Sequence, residues 1–322
     1  MRCYSRGVLN RRTLGRTGVK VTTVGLGCAY LGSLGDDFNE DRGLQTVWAA
    51  LEAGIRLIDT APLYQGTRSE RMVGRALRER PDLASGVVVE TKCCRLQEGS
   101  DYSYDAAMRS VEGSLERLQA PRLELLYVHD PPKAALEQVM GPGGAVQALR
   151  KLQAEGVVGH IGVASNYPDD NAPYVETGEF EMAVVPDAFS LLNQVALERI
   201  LPAAERLGMG VVVATPLEKG LLAVGARGAQ TPGVVPQTRH FSPEALARVE
   251  QMEQVCARNG VSLLAAALQY VTRHPVVAST IPGARTPAEV LANARAASET
   301  IPETVWQELQ PLIQTWDIVA RA

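Results

Sequence analysis

Apolar residues fall in short runs along this chain, separated by longer stretches with helical spacing. Eight runs read as strands: Val21–Gly25, Leu57–Asp59, Val87–Thr91, Leu125–His129, His160–Ala164, Ala183–Asp187, Gly210–Ala214 and Val276–Ile281. They are apolar or β-branched on both faces instead of alternating, as parallel strands covered on both sides are. Helical spacing runs through Arg42–Ala53, Ser69–Arg80, Tyr104–Leu118, Gly144–Glu155, Ala196–Leu207 and Pro243–Asn259. Gly54, Pro81, Pro121, Gly156, Gly208 and Gly260 follow these stretches and supply the stop signals.

Eight strands alternating with helices make either a closed barrel or a large open sheet. An open dinucleotide-binding sheet would place a GxGxxG loop after its first strand. Here Gly25-Leu26-Gly27 continues as Cys28-Ala29-Tyr30. The count and spacing therefore predict an α/β fold, a (β/α)₈ TIM barrel in one domain over residues 1–322. Residues 8–20 read as an N-terminal β-hairpin around Gly15–Gly18, plugging one barrel end. Residues 223–241 are rich in Gly and Pro and read as a long loop on the C-terminal face, a candidate lid.

Barrel enzymes carry their chemistry at the C-terminal strand ends. The second strand ends in Asp59, with Tyr64 five residues on; the third runs into Lys92; the fourth ends in His129, then Asp130. Ser165-Asn166 follows the fifth strand and Thr215-Pro216 the seventh. A tyrosine hydroxyl titrates near ~10 when unperturbed. A neighbouring Lys92 cation is expected to lower that value, with Asp59 holding the lysine charged. Tyr64 is then a general acid or base at a carbonyl or carbinol oxygen. His129 stabilises the charge developing on that oxygen. None of these groups supplies a hydride, which a nicotinamide cofactor does.

Composition narrows the partners. The net charge is −4 and no block of basic residues occurs, which excludes nucleic acid and anionic membrane as expected partners. There is no 18-residue apolar run and no apolar leader segment, so a cytoplasmic protein is expected. The five cysteines lack metal-type spacing, and no metal site is expected. Oligomeric state is left open.

The motifs resemble the aldo-keto reductase family over most of the chain, from about Arg11 to Asn293. They are Gly54-Ile-Arg-Leu-Ile-Asp59-Thr-Ala-Pro-Leu-Tyr64 followed by Ser69-Glu70 and Gly74-Arg-Ala-Leu77, then Val89-Glu-Thr-Lys92, Leu126-Tyr-Val-His129 and Ile161-Gly-Val-Ala-Ser165-Asn166. The resemblance implies NAD(P)-dependent hydride transfer to or from a small carbonyl or sugar. It implies Asp59, Tyr64, Lys92 and His129 as the catalytic tetrad. It assigns the cofactor to Cys28, Ser165, Asn166, Phe189, Thr215, Pro216, Leu217, Gly220, Leu222, Ile281, Gly283, Arg285, Thr286, Glu289 and Asn293, with Phe189 stacking on the nicotinamide. Tyr30, Pro131 and Tyr167 fall at the substrate pocket. Pro186 stands where the family often has Gln. With the segment Ala265 to Arg285, it is similar to the family's aldose 1-dehydrogenase-like members. The family also includes cofactor-sensing regulatory subunits, the alternative to an enzyme. NADP or NAD is undecided: Arg285 suits a 2′-phosphate, and the Glu289 charge repels one.

Overall fold

The structure, a computed structural model, describes residues 9–231 and 240–318. Among them, eight parallel strands follow one another around a barrel: Leu26–Gly27, Leu57–Asp59, Val88–Cys93, Leu123–His129, Val158–Ala164, Met182–Val185, Gly210–Ala214 and Val277–Ile281. The first and eighth close the ring through bridges at Val24–Thr280 and Gly27–Gly283. Backbone hydrogen bonds seal the seam, Gly25 N to Thr280 O at 2.8 Å and Thr280 N to Thr23 O at 3.0 Å.

Leu57, Leu125, Tyr127, Met182, Val184, Val212, Ala278 and Ile281 fill the barrel interior. Leu14 and Val21 join them from the N-terminal hairpin. That hairpin pairs Arg11–Thr13 with Lys20–Thr22. The Arg16 guanidinium ties it down by donating to the carbonyls of Leu207 at 2.6 Å, Gly178 at 2.9 Å and Phe180 at 2.6 Å. Gly208 and Gly178 precede the seventh and sixth strands, so the hairpin caps the N-terminal end and leaves the C-terminal end open. Gly15 is required there: its φ is +49°, and a Cβ would come within 2.1 Å of Gly210 N.

Most predicted elements recur, with boundary shifts. The first barrel strand is the main correction. Val21–Gly25 was expected; its beginning belongs to the hairpin, and the barrel strand is Leu26–Gly27. Apolar periodicity cannot tell which of two adjoining apolar stretches pairs with the barrel. The sixth strand stops at Val185 because Pro186 has no N–H to extend the ladder. The expected loop over 223–241 begins instead as a helix, Leu221–Ala229, kinked at Gly225. Leu221, Leu222, Gly225 and Ala226 form its buried face. Of the rest of the predicted lid, 232–239 lies outside the described residues. Helices Pro168–Glu176, Leu263–Arg273 and Glu303–Leu309 were not anticipated. Among the described residues, no helix is long and apolar enough to cross a membrane.

Candidate active site

Three adjacent strands and one turn bring the predicted tetrad together at the open end. Asp59, Lys92 and His129 are buried at 3%, 2% and 5% exposure. Lys92 Nζ forms an ion pair with Asp59 Oδ1 and donates to Thr60 O at 2.9 Å. The Tyr64 hydroxyl donates to Asp59 Oδ2 at 3.5 Å. Lys92 Nζ also lies 4.6 Å from the Tyr64 ring centre, within reach of a cation–π attraction. The Tyr64 and His129 rings meet edge to face at 5.9 Å.

Strand alternation aims these groups. Lys92 points into the barrel, while Thr91 points out and donates to Glu70 at 2.6 Å. Glu70 in turn accepts from Arg117 at 2.6 Å, clamping two outer helices against the third strand. The turn that carries Tyr64 is held by left-handed backbone at Gln65, Gly66 and Thr67. Non-glycine residues adopt that conformation at a cost of about 1–3 kcal/mol each. Gln65 Nε2 donates to Leu31 O at 2.9 Å, and Ser69 Oγ to Cys28 O at 3.0 Å. These bonds dock the turn on the first loop and offset that cost.

Burial lowers the proton affinity of Lys92, but the Asp59 carboxylate, helped by the Tyr64 and Glu90 charges, more than reverses this and holds the ammonium above the ordinary lysine range. Burial pushes the Asp59 carboxyl up, and Lys92 pulls it back. Tyr64 departs from expectation. Burial and the Asp59 charge outweigh Lys92 and push the phenol up to about 12. In the protein alone Tyr64 is therefore a proton donor at neutral pH. Burial, with the Lys92 and Arg95 charges, keeps the His129 imidazole well below its usual range and neutral. Its Nδ1 is buried with no hydrogen-bond partner among the described residues, a polar atom left for a ligand.

The next ring of residues was largely missed from sequence. Asp130, with left-handed backbone, pairs with Arg95 and accepts from Asn166 N at 2.9 Å and Asn166 Nδ2 at 3.0 Å. His129 Nε2 lies 3.7 Å from its carboxylate. The Tyr102 hydroxyl donates to the carbonyls of His129 at 3.0 Å and Asp130 at 2.7 Å. The adjacency of Asp130 to His129 was the available signal; nothing local pointed to Arg95 or Tyr102.

The predicted cofactor residues divide. Ser165, Asn166, Thr215, Gly283 and Arg285 stand at the ends of the fifth, seventh and eighth strands. Thr215 Oγ1 accepts from Asp187 N at 2.6 Å. Thr215, Glu218, Lys219 and Gly220 all have left-handed backbone, a tightly turned segment beside the mouth. Arg285 is bound by Glu289: Nη2 to Oε1 at 2.7 Å, and the Arg285 backbone N to Oε2 at 2.6 Å. Thr286 caps that helix by accepting from Glu289 N at 3.3 Å, and Asn293 is buried two turns on. Pro216, Leu217 and Leu222 are buried, the two leucines in the outer helical cluster. Ile281 sits inside the barrel, and Cys28 is fully buried behind Asp59. Phe189 is not brought to the site. It is 3% exposed and packs on the rings of Tyr270 at 5.5 Å and His274 at 6.0 Å, outside the sheet. At the mouth, Pro131 is buried while Tyr30 and Tyr167 are 65% and 69% exposed.

A nicotinamide dinucleotide fits this donor set. Amide-pairing groups (Ser165, Asn166) adjoin the tetrad, His129 Nδ1 waits unpaired, and a cationic side chain precedes a twelve-residue helix at the far end.

Comparison with known proteins agrees with the geometry. The chain is 31% identical to pyridoxal 4-dehydrogenase of Microbacterium luteolum, over 93% of this chain and 96% of that one. It is 33% identical to L-galactose dehydrogenase of Arabidopsis thaliana, over 89% and 88%. It is 30% identical to D-threo-aldose 1-dehydrogenase of a Pseudomonas species, over 91% and 94%. Among solved structures, aldo-keto reductase AKR11C1 from Bacillus halodurans in its holo form superposes with a TM-score of 0.77 at 26% identity, covering 95% of this chain and 96% of that one. Residues 23–314 match the aldo/keto reductase family profile; with the eight-stranded barrel and the four groups at its mouth, this chain belongs to the aldo/keto reductase family.

Proposed function

We propose that this protein is a nicotinamide-dependent oxidoreductase that oxidises an aldose at its anomeric carbon, with Tyr64 exchanging the proton. The convergence of Asp59, Tyr64, Lys92 and His129 in one cluster at the open end of the barrel carries this reading. Two of the relatives above are named for sugar dehydrogenation, and the third for dehydrogenation of an aromatic aldehyde. A bound nicotinamide supplies the hydride acceptor or donor. Neutral His129 hydrogen-bonds the substrate oxygen, and Tyr64 takes its proton in oxidation or returns one in reduction. Lys92, anchored by Asp59, steadies the charge left on the phenol.

The direction of the Tyr64 shift has a kinetic consequence. The phenol is pushed up to about 12, so the base form needed for oxidation is scarce at neutral pH and grows with pH. Oxidation is expected to accelerate up to about tenfold per pH unit on its rising limb, while reduction, which uses the protonated form, is not. Initial rates in both directions across pH check this; an oxidation rate flat above neutrality contradicts it.

The sensing alternative and a Schiff-base lyase are both less well supported. An ammonium held above the lysine range is a poor amine nucleophile, and the three relatives reported above are named as dehydrogenases.

For the cofactor we favour NAD. Glu289 already occupies the Arg285 guanidinium and repels a 2′-phosphate, whereas its carboxylate can accept from a free 2′-hydroxyl. Glu289→Gln releases Arg285. It is expected to raise kcat/KM for NADP relative to NAD by about tenfold, the worth of one charge-assisted contact. Steady-state kinetics with both cofactors decide it; an unchanged ratio contradicts the assignment.

A further inference from the structure

Beneath the tetrad lies a second carboxyl group that the chemistry above leaves unused. Glu90 is fully buried. It precedes Lys92 by two residues on the third strand, so both side chains enter the barrel. Pairing sets Glu90 beside Asp59 and Leu125, and Lys92 beside Tyr127. The Tyr127 hydroxyl donates to Glu90 Oε2 at 2.8 Å, while Oε1 is buried with no partner among the described residues. The titratable groups facing Glu90 are Asp59 from the second strand, Lys92 from its own strand and Tyr127 from the fourth. Tyr64, on the turn after the second strand, feels its charge. Leu57, Leu125 and Met182 belong to the apolar cluster that fills the barrel around it.

One ammonium cannot satisfy two carboxylates in so dry an interior. Lys92 is committed to Asp59, with which it makes the ion pair. Among the described residues Glu90 has no cation of its own, and burial with the Asp59 charge pushes it up to about 8. It therefore changes charge in mildly alkaline solution.

We propose that Glu90 is a positioning residue that sets the proton affinity of Tyr64 through Lys92. Neutral, it leaves the Lys92 charge to Asp59 and Tyr64. Ionised, it draws on that charge and holds the proton on the phenol. The role rests on Tyr64 as the acid–base group, so its test uses readouts with and without turnover.

Ultraviolet difference titration of the free protein, wild type minus Tyr64→Phe, reads the phenol with no substrate. Glu90→Gln keeps the shape and removes the charge. It is expected to lower the Tyr64 midpoint by about one unit, tenfold in proton affinity. The alkaline rise of sugar oxidation should move by the same amount, and Glu90→Asp should restore both. An unmoved midpoint, with rates altered equally at every pH, overturns the proposal. A shifted midpoint without turnover on any substrate supports it and contradicts the oxidoreductase reading instead. Where Glu90→Gln does not fold, infrared titration of the wild type and Tyr127→Phe decides. The protonated-carboxyl band should fade near pH 8 in the wild type and at higher pH in Tyr127→Phe, which lacks the hydrogen bond that favours the ionised form. No such band at neutral pH overturns the proposal.

Discussion

Tyr64→Phe is expected to lower kcat/KM by about 10²–10⁴-fold, the usual worth of a positioned proton donor. The substitution removes one oxygen. The ring that Lys92 approaches at 4.6 Å and that meets His129 edge to face remains, so the fold and the cofactor surface should persist. Cofactor affinity, read by quenching of protein fluorescence, should change little, while product formation collapses. A variant that keeps the wild-type rate would show that another group moves the proton.

Lys92→Met is expected to damage both stability and activity. It leaves the Asp59 carboxylate buried with no cation, because the ammonium is its ion-pair partner. Breaking one side of a buried pair costs about 3–5 kcal/mol. The sign of the pH dependence follows. Without Lys92, burial is opposed only by the Tyr64 hydrogen bond and raises the folded-state value of Asp59 further above the unfolded one. The stability deficit should therefore be smallest in acid, where Asp59 is protonated in both states, and grow as pH rises through the aspartate range. Denaturant unfolding at several pH values checks this. The double variant Asp59→Asn/Lys92→Met should recover much of the stability and none of the turnover. A deficit that persists undiminished in acid would mean that lost packing, not lost charge, is responsible.

The fold was legible where elements are long and periodic. Tyr104–Leu118 was read to the residue because Ser103 caps it and its apolar face recurs every turn. Pro168–Glu176 escaped because Pro168 and Pro173 read as breaks; yet Pro168 lies in its first turn, where its missing N–H costs nothing. Leu221–Ala229 escaped because Gly225 and Gly228 mask a buried face that forms only against the outer helices. Of the site, the tetrad was readable from the strand ends. Its surroundings were not, since Arg95, Tyr102 and Asp130 meet through tertiary contacts between separate loops. Phe189 shows the opposite failure, because an aromatic after a strand can as easily face the outer helices as the mouth. Glu90 carried a signal that went unused: a carboxyl two residues before an inward lysine must itself face inward.

The central claim is that hydride passes between a nicotinamide and a sugar at the cluster of Asp59, Tyr64, Lys92 and His129, with Tyr64 exchanging the sugar's proton. The most direct test incubates the purified protein with NAD or NADP and a panel of aldoses at alkaline pH, and follows reduced nicotinamide by absorbance beside Tyr64→Phe. Reduced cofactor should accumulate with at least one aldose in the wild type, faster with NAD, and not in Tyr64→Phe. Tight cofactor binding with no reduction by any sugar, and no oxidation of NADH by any aldehyde, would contradict the account.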